Sequence, residues 1–566
     1  MPDPDSRCAG VVFWDAGCYN RRPYVTQVCR TLVTGVRMKH TYVLYGIVLA
    51  FAAVGGGQSS KADVPADAQK LLFFDLWKLD YWDNVELAQG KPEWLAEAAY
   101  TDPGAPPGGM YFPSVLPPRG DAPWRMLYSI RWSPFTLMVA ESDDGLHWRP
   151  LACEDIEPVG GKLGPHHVFT LPSGEGSGIY IDPQESDGYP YRIFARQHGE
   201  PVFERALADR EHPWHEIATT EGEKPYFSEA VTLVSRDGLH WQLKTGGHWN
   251  WGQAGWYPEP PVFAFWNART QQHVMTVRPG WGDRRQCLRT STDLRSWRDP
   301  EIVFQPDALD TAGPIGMYAL PVHALGSGAG FVGLLWTFHN SSSEPVSSFN
   351  QFYGTMDAEL AFSYDGVRFR RGLRRPFLER TARPEYGCSQ VRPCSIAETE
   401  SQIRIYSAGQ CAEHGREPQA QRRAAEPLAA MIVHTLRKDG WMFLRSRGDW
   451  ARFQTKPFTL FKQRIGVNVD ARFGEVQFQL TDEKSRPLDG FSFDDCVVLQ
   501  DVDVLDQEVA WEGAELESVL NRVLRLEVKF RNAHIYSFTM DHHFLDAMDR
   551  WLLQDNKALD THLFNY

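Results

Sequence analysis

An internal repeat constrains this chain more than any other feature of its sequence. The segments DDGLHW ending at Trp148, SRDGLHW ending at Trp241, STDLRSW ending at Trp297 and SYDGVRF ending at Phe369 are copies of one pattern, and KDGW at Trp441 is a weaker fifth. Their aspartates, Asp144, Asp237, Asp293, Asp365 and Asp439, lie 93, 56, 72 and 74 residues apart. Such intervals are long for a solenoid and suit four-stranded propeller blades that carry insertions. The Asp-Gly pair makes a tight turn between strands, and the ring that follows anchors the next strand. The aspartates of the repeat are therefore turn formers, and none is assigned to catalysis.

Between the copies lie short runs with strand character, such as Arg125 to Tyr128, Arg192 to Ala195, His273 to Val277, Gly330 to Trp336 and Gln402 to Tyr406. Gly, Pro and Asn clusters separate them, and long amphipathic helical patterns are scarce. The fold class expected is all-β: a five-bladed β-propeller over residues 68–455, followed by a β-sandwich. The repeat stops near residue 456, where alternating strands (Arg464 to Asp470, Glu475 to Thr481, Val523 to Phe530) read as the sandwich over 456–541. The tail, 542–566, carries a short helix pattern around Phe544 to Leu553.

At 566 residues the chain is long enough for two or three folded units. Its net charge is −14, and because the first 62 residues hold seven basic and three acidic side chains, the remainder is more acidic still. Such a surface repels nucleic acid and anionic lipid, so a neutral or weakly charged substrate is expected, with no nucleic-acid or membrane partner. Aromatic residues reach 13%. They suit sugar stacking, although β-sheet cores account for most of them.

Met38-Lys39-His40, the apolar run from Tyr42 to Val54 and Ser60-Lys61-Ala62 have the three-part layout of a secretory signal peptide over 38–62. Secretion or periplasmic export is expected, with 1–37 a leader extension or an untranslated stretch ahead of Met38. Beyond it are Cys153, Cys287, Cys388, Cys394, Cys411 and Cys496. An exported chain permits disulfides, and Cys388 with Cys394 or Cys411 is the local pair to consider, against buried free thiols. No spacing suggests a zinc site; the adjacent pairs His166-His167 and His542-His543 would point to opposite strand faces. No cofactor or metal is expected, and no motif supports structural calcium.

The stretches LLFFDLWKLDYWDNVEL, WRMLYS, GFVGLLWTFHN, AELAFSYDGVRFRRG and IGVNVDARFGEVQFQLTDEKSRPLDGFSFDDC resemble bacterial secreted glycosyl hydrolase-like proteins related to the five-bladed glycosidases of families 32, 43 and 68. The resemblance spans residues 71 to 540 and implies fold more firmly than reaction. It implies three carboxyl groups, one from each early blade, meeting at the axial end of the propeller, with an acid/base pair flanking the scissile bond.

Glu259, in Tyr257-Pro258-Glu259-Pro260-Pro261, is similar to the family 32 pattern of Glu, one residue and Pro before a hydrophobic strand, which implies the general acid. Trp249, Trp251, Trp256 and Tyr257 crowd the loop before it and offer flat faces to a sugar. The alternative is a surface Glu capping a turn. Asp182, in Ile181-Asp182-Pro183, resembles an Arg-Asp-Pro motif whose aspartate holds sugar hydroxyls, but Ile181 stands in place of the Arg. Asp102, in Tyr100-Thr101-Asp102-Pro103-Gly104, is the nearest first-blade candidate, with Asp75, Asp80 and Asp83 as rivals. Arg278, Trp281, Asp283 and Arg284 sit in a Gly-rich loop that could line the same cleft, since a guanidinium fork can hold an acidic sugar. The activity expected is hydrolysis of a poly- or oligosaccharide. A carbohydrate-binding propeller without catalysis, and a lyase or phosphorylase on the same scaffold, stay open.

Overall fold

The computed structural model describes residues 69–559 apart from 108, 119, 121, 186, 213, 221–226, 245–258, 280–283, 311–314, 342–352, 383, 416–427 and 556. The expected leader and signal segment, 1–62, lie outside the described residues.

Each long copy of the repeat sits between the third and fourth strands of an antiparallel meander. The first meander is Tyr111–Leu116, Trp124–Ser129, Phe135–Ser142 and Arg149–Pro150; the second runs from Ile179–Ile181 through Tyr191–His198 and Ser228–Ser235 to Trp241–Lys244. The third is Glu259–Asn267, Gln272–Arg278, Gln286–Ser291 and Glu301–Phe304. The fourth is Ile315–Ala319, Gly330–Asn340, Gly354–Ser363 and Arg370–Leu378. The fifth, Gln390–Glu398, Gln402–Gln410 and Ala429–Arg437, takes its outer strand, Glu93–Tyr100, from the chain's N-terminal side.

Hydrogen bonds join these meanders into a closed ring. The Ile179 amide donates to Ser114 Oγ (3.0 Å), the Val262 amide to Ser177 Oγ (2.8 Å) and Thr276 Oγ1 to the Leu320 carbonyl (2.6 Å). Trp336 Nε1 donates to the Pro393 carbonyl (2.8 Å), and the Val115 amide closes the circle on Ser395 Oγ (3.1 Å). A ring of radial antiparallel meanders is a propeller, and closing it with a strand from the other end of the domain leaves no open junction between first and last sheets.

The turn chemistry read from the repeat is visible atom by atom. Asp144 Oδ1 accepts from the Leu146 (2.8 Å) and His147 (2.9 Å) amides, while Ser142 Oγ accepts from the Gly145 amide (2.9 Å). Asp237 with Ser235, Asp293 with Ser291 and Asp365 with Ser363 repeat this arrangement. Gly145 takes φ +74°, which the turn requires; in the third copy Leu294 occupies that place at φ +60°, a strained conformation for a side chain with Cβ.

Two further sheets face each other across one apolar core to form the sandwich. One contains Val85–Gln89, Met442–Ser446, His534–Phe544, Phe458–Asp470 and Asp503–Glu508, with Lys70–Leu72 added; the other contains Leu79–Asp83, Ala451–Thr455, Arg525–Arg531, Glu475–Thr481 and Leu499–Gln500. Phe453, Phe458, Phe478, Phe530 and Phe538 fill the space between them. Sheet membership thus divides the chain differently from the expected 68–455 and 456–541. Three N-terminal strands and the two after the fifth copy belong to the sandwich.

The stretch Leu71-Leu72-Phe73-Phe74 explains why these strands leave the propeller. Leu71 and Phe73 enter the sandwich core, while Leu72 and Phe74 pack with Val332, Leu334, Phe362 and Trp441 of the propeller. A strand with period-two alternation buried on both faces seals two domains at once. Asp439, in the fifth copy, reinforces this seam. At φ +60° its buried carboxylate receives Lys70 Nζ (2.6 Å) and Ser537 Oγ (2.7 Å), both from the sandwich. Asp439→Ala should cost about 3 kcal/mol, the low end for breaking a buried ion pair because Lys70 is partly exposed. Denaturant unfolding checks this, with Asp439→Asn, which keeps the left-handed turn, falling between the two.

The tail helix spans Ala547–Gln554 and is started by a capping box, with Asp546 Oδ1 accepting from the Met548 (2.7 Å) and Asp549 (2.8 Å) amides. The six described cysteines are all buried, and no disulfide joins Cys388 to Cys394 or Cys411. Each thiol instead sits within apolar packing, Cys388 and Cys411 beside Leu428.

Candidate functional site

The ends of the innermost strands converge on one cavity of about 390 Å³. Tyr111 comes from the first meander, Glu175 and Arg196 from the second, and Glu259 and Arg278 from the third. Tyr318 comes from the fourth, and Gln390, Arg392 and Gln410 from the fifth. Trp132, Arg284, Glu413 and His414 complete the part of the lining that carries chemistry.

Strand register places opposite charges side by side. Glu259 pairs across the ladder with Arg278, and Glu175 with Arg196. Arg278 Nη2 lies 3.3 Å from Glu259 Oε1 and also donates to the Pro260 carbonyl (2.8 Å), so the arginine is held by backbone as well as by the carboxylate. Arg196 Nη1 is 4.0 Å from Glu175 Oε2. The side chains of Glu259 and Glu175 are 29% and 18% exposed, enough to be reached from the cavity.

Tyr318 forms the centre of the floor. The Arg278 guanidinium lies over its ring at 4.4 Å, Arg284 approaches at 5.2 Å, and its hydroxyl is hydrogen-bonded to His414 Nε2 at 2.9 Å. Arg284 also covers Phe338 at 3.9 Å, and burial pulls its pKa down to about 10. Cations over aromatic faces in a desolvated wall are held by the ring quadrupole. Gln390 Nε2 donates to Gln410 Oε1 (3.2 Å) and to the Ala412 carbonyl (2.7 Å), which fixes the fifth-meander side.

Of the residues singled out in the sequence, Glu259, Arg278 and Arg284 line this cavity. Trp249, Trp251, Trp256, Tyr257, Trp281 and Asp283 lie outside the described residues. Asp182 and Asp102 do not line it. Asp182 is buried, with its Oδ2 3.3 Å from Arg192 Nε and its Oδ1 4.0 Å from His273 Nδ1. Arg192 sits four residues from Arg196 on the same strand, about 13 Å away at strand rise, so Asp182 braces the far end of the second and third meanders.

Asp102 follows the strand that closes the fifth meander, and it is buried between that strand and the first meander. It accepts from Tyr128 Oη (2.5 Å), the Gly104 amide (2.6 Å) and His166 Nε2 (2.7 Å). Burial works against its charge, but these bonds outweigh it and hold the carboxyl below its usual range. Both aspartates therefore serve the walls. Glu175, in a Gly-rich stretch, and Glu413, Arg196 and Arg392 carry no motif. Only the register of strands from different meanders brings them to the cavity.

No protein-family model matches this sequence, and no curated protein does. Among solved structures, an N-acetylgalactosamine deacetylase from F. plautii in complex with blood group B trisaccharide is 12% identical, with 63% of this chain and 97% of that one covered and a TM-score of 0.37. The GH32 beta-fructofuranosidase of Bombyx mori is 10% identical over 80% of this chain and 94% of its own, TM-score 0.36. The exo-inulinase of Aspergillus awamori is 10% identical over 79% and 98%, TM-score 0.34. Each of these likenesses is at low sequence identity.

Proposed function

We propose that the cavity is the active site of a secreted glycoside hydrolase in which Glu259 and Glu175 form the reacting carboxylate pair. The observation that carries this is the convergence of carboxylates from the second and third meanders, beside Tyr111, Trp132 and Tyr318, in one concave site. Glycosidic hydrolysis needs one carboxyl to protonate the leaving oxygen and another to attack the anomeric carbon or activate water. Aromatic faces hold the C–H surface of the sugar while the carboxylates act on its glycosidic bond. The full chain, incubated with plant and marine glycans, should release reducing ends. Azide should restore turnover to whichever of Glu175→Ala and Glu259→Ala lacks the attacking or water-activating carboxylate. A protein that releases nothing from any glycan it binds is not a hydrolase.

A second reading is favoured by Tyr318, whose hydroxyl meets His414 between two arginines. A phenol and an imidazole beside cations suit β-elimination from an acidic sugar. A product absorbing in the ultraviolet, with activity lost in Tyr318→Phe, identifies that reaction.

A further inference from the structure

Charge in the cavity is arranged for a ligand that is itself charged. Four arginines, Arg196, Arg278, Arg284 and Arg392, line it against three glutamates among the described residues. This occurs in a chain whose net charge is −14. The protein's overall field repels anions, so a cationic cluster at one axial mouth is a local feature that the rest of the surface does not explain.

Arg392 carries the argument furthest. It is 4% exposed, in the innermost strand of the fifth meander, and its guanidinium lies 5.1 Å above the Tyr111 ring. No described carboxylate pairs with it, and its Nε and Nη2 have no hydrogen-bond partner. Arg278, in the same lining, likewise keeps Nε without a partner while Nη2 serves Glu259. A buried guanidinium without a counter-charge destabilises the fold, and desolvation lowers the pKa of Arg392 as expected for an uncompensated cation. Such a group persists where a bound anion supplies the missing charge, and guanidinium is suited to the paired oxygens of a carboxylate or sulfate.

We infer that the substrate is an acidic glycan whose sugar-borne anion, a uronate carboxylate or a sulfate ester, is received by Arg392. This rests on reading the cavity as a glycan site but holds for either reaction considered there. It also replaces the neutral substrate expected from net charge, because recognition is set within the cavity and not by the whole surface.

The test is calorimetric titration of the full chain with oligogalacturonate, its methyl ester, low-molecular-weight dextran sulfate and dextran. At least one acidic probe should bind tenfold or more tightly than its neutral counterpart, and binding should weaken as NaCl is raised. The two acidic probes separate carboxylate from sulfate. Arg392→Met should reduce the acidic probe to the affinity of the neutral one while melting no lower than wild type without ligand. Arg392→Lys, which keeps the charge but not the fork, should fall between. Equal binding of acidic and neutral probes, an acid preference that survives Arg392→Met, or a large drop in the melting temperature of that variant overturns the inference. Binding and cleavage by the wild-type chain separate the two claims. Charge-selective binding without cleavage removes the hydrolase reading alone, whereas cleavage of neutral glycans without charge selection removes only this one.

Discussion

Glu259→Gln is expected to lower turnover on a cleaved glycan by a hundredfold or more while leaving the melting temperature within a degree or two of wild type. The substitution keeps the shape of the side chain and an oxygen that can accept from Arg278, which sits 3.3 Å away. Because Glu259 is partly exposed at the strand's edge and no apolar packing is removed, little stability is at stake. What disappears is a group able to carry a proton or a negative charge at the reacting bond, a loss typically worth 10²- to 10⁴-fold. Asp182→Asn and Asp102→Asn are the controls. Both lie in walls away from the cavity lining, so their effect should appear as lower stability. Unchanged turnover in Glu259→Gln, with large loss in Asp182→Asn, would move the chemistry to the opposite end of the meanders.

Trp336→Ala should be among the most destabilising single changes in the propeller, costing about 3–5 kcal/mol for the lost ring alone. The side chain is fully buried where three meanders meet, stacked on Tyr318 with ring centroids 6.2 Å apart and edge-on to Phe263 at 5.9 Å. Its Nε1 is also the donor that ties the fourth meander to the fifth through the Pro393 carbonyl (2.8 Å). Truncation leaves a cavity and a buried carbonyl without its donor, and the second effect adds about 1–3 kcal/mol. Trp336→Phe separates them, since it keeps most of the apolar area and loses the hydrogen bond. Denaturant unfolding should therefore rank wild type above Trp336→Phe above Trp336→Ala. Equal stability of the Phe and Ala variants would mean that the junction depends on the hydrogen bond and not on packing. Because Tyr318 lines the cavity, the Ala variant should also lose glycan binding under conditions where it remains folded.

The turns were legible because their physics is local. Ser142 Oγ and Asp144 Oδ1 accept from the amides of Gly145, Leu146 and His147, so the pattern that encodes the turn lies in a single short segment. Strand content was legible for a similar reason: Glu475–Thr481 spans the same residues in sequence pattern and structure, and Gln402–Gln410 contains the run read as a strand. Glu259, which lines the cavity, was singled out through its Pro-flanked motif. Asp182 and Asp102 misled because an Asp-Pro or Asp-Pro-Gly segment starts a turn at either end of a meander, and the segment itself does not record which end faces the axis.

By itself, then, the sequence determined the all-β class, the turn at each repeat and the acidic net charge, all properties of neighbouring residues or of composition. Only the tertiary structure decided that Leu71 and Phe73 serve one core while Leu72 and Phe74 serve another, that Glu93–Tyr100 closes the ring, and that Glu175, Glu259 and Arg392 share one cavity. The reason is separation along the chain. Glu175 and Arg392 are more than two hundred residues apart, and their meeting depends on the register of several sheets at once, which no short pattern contains.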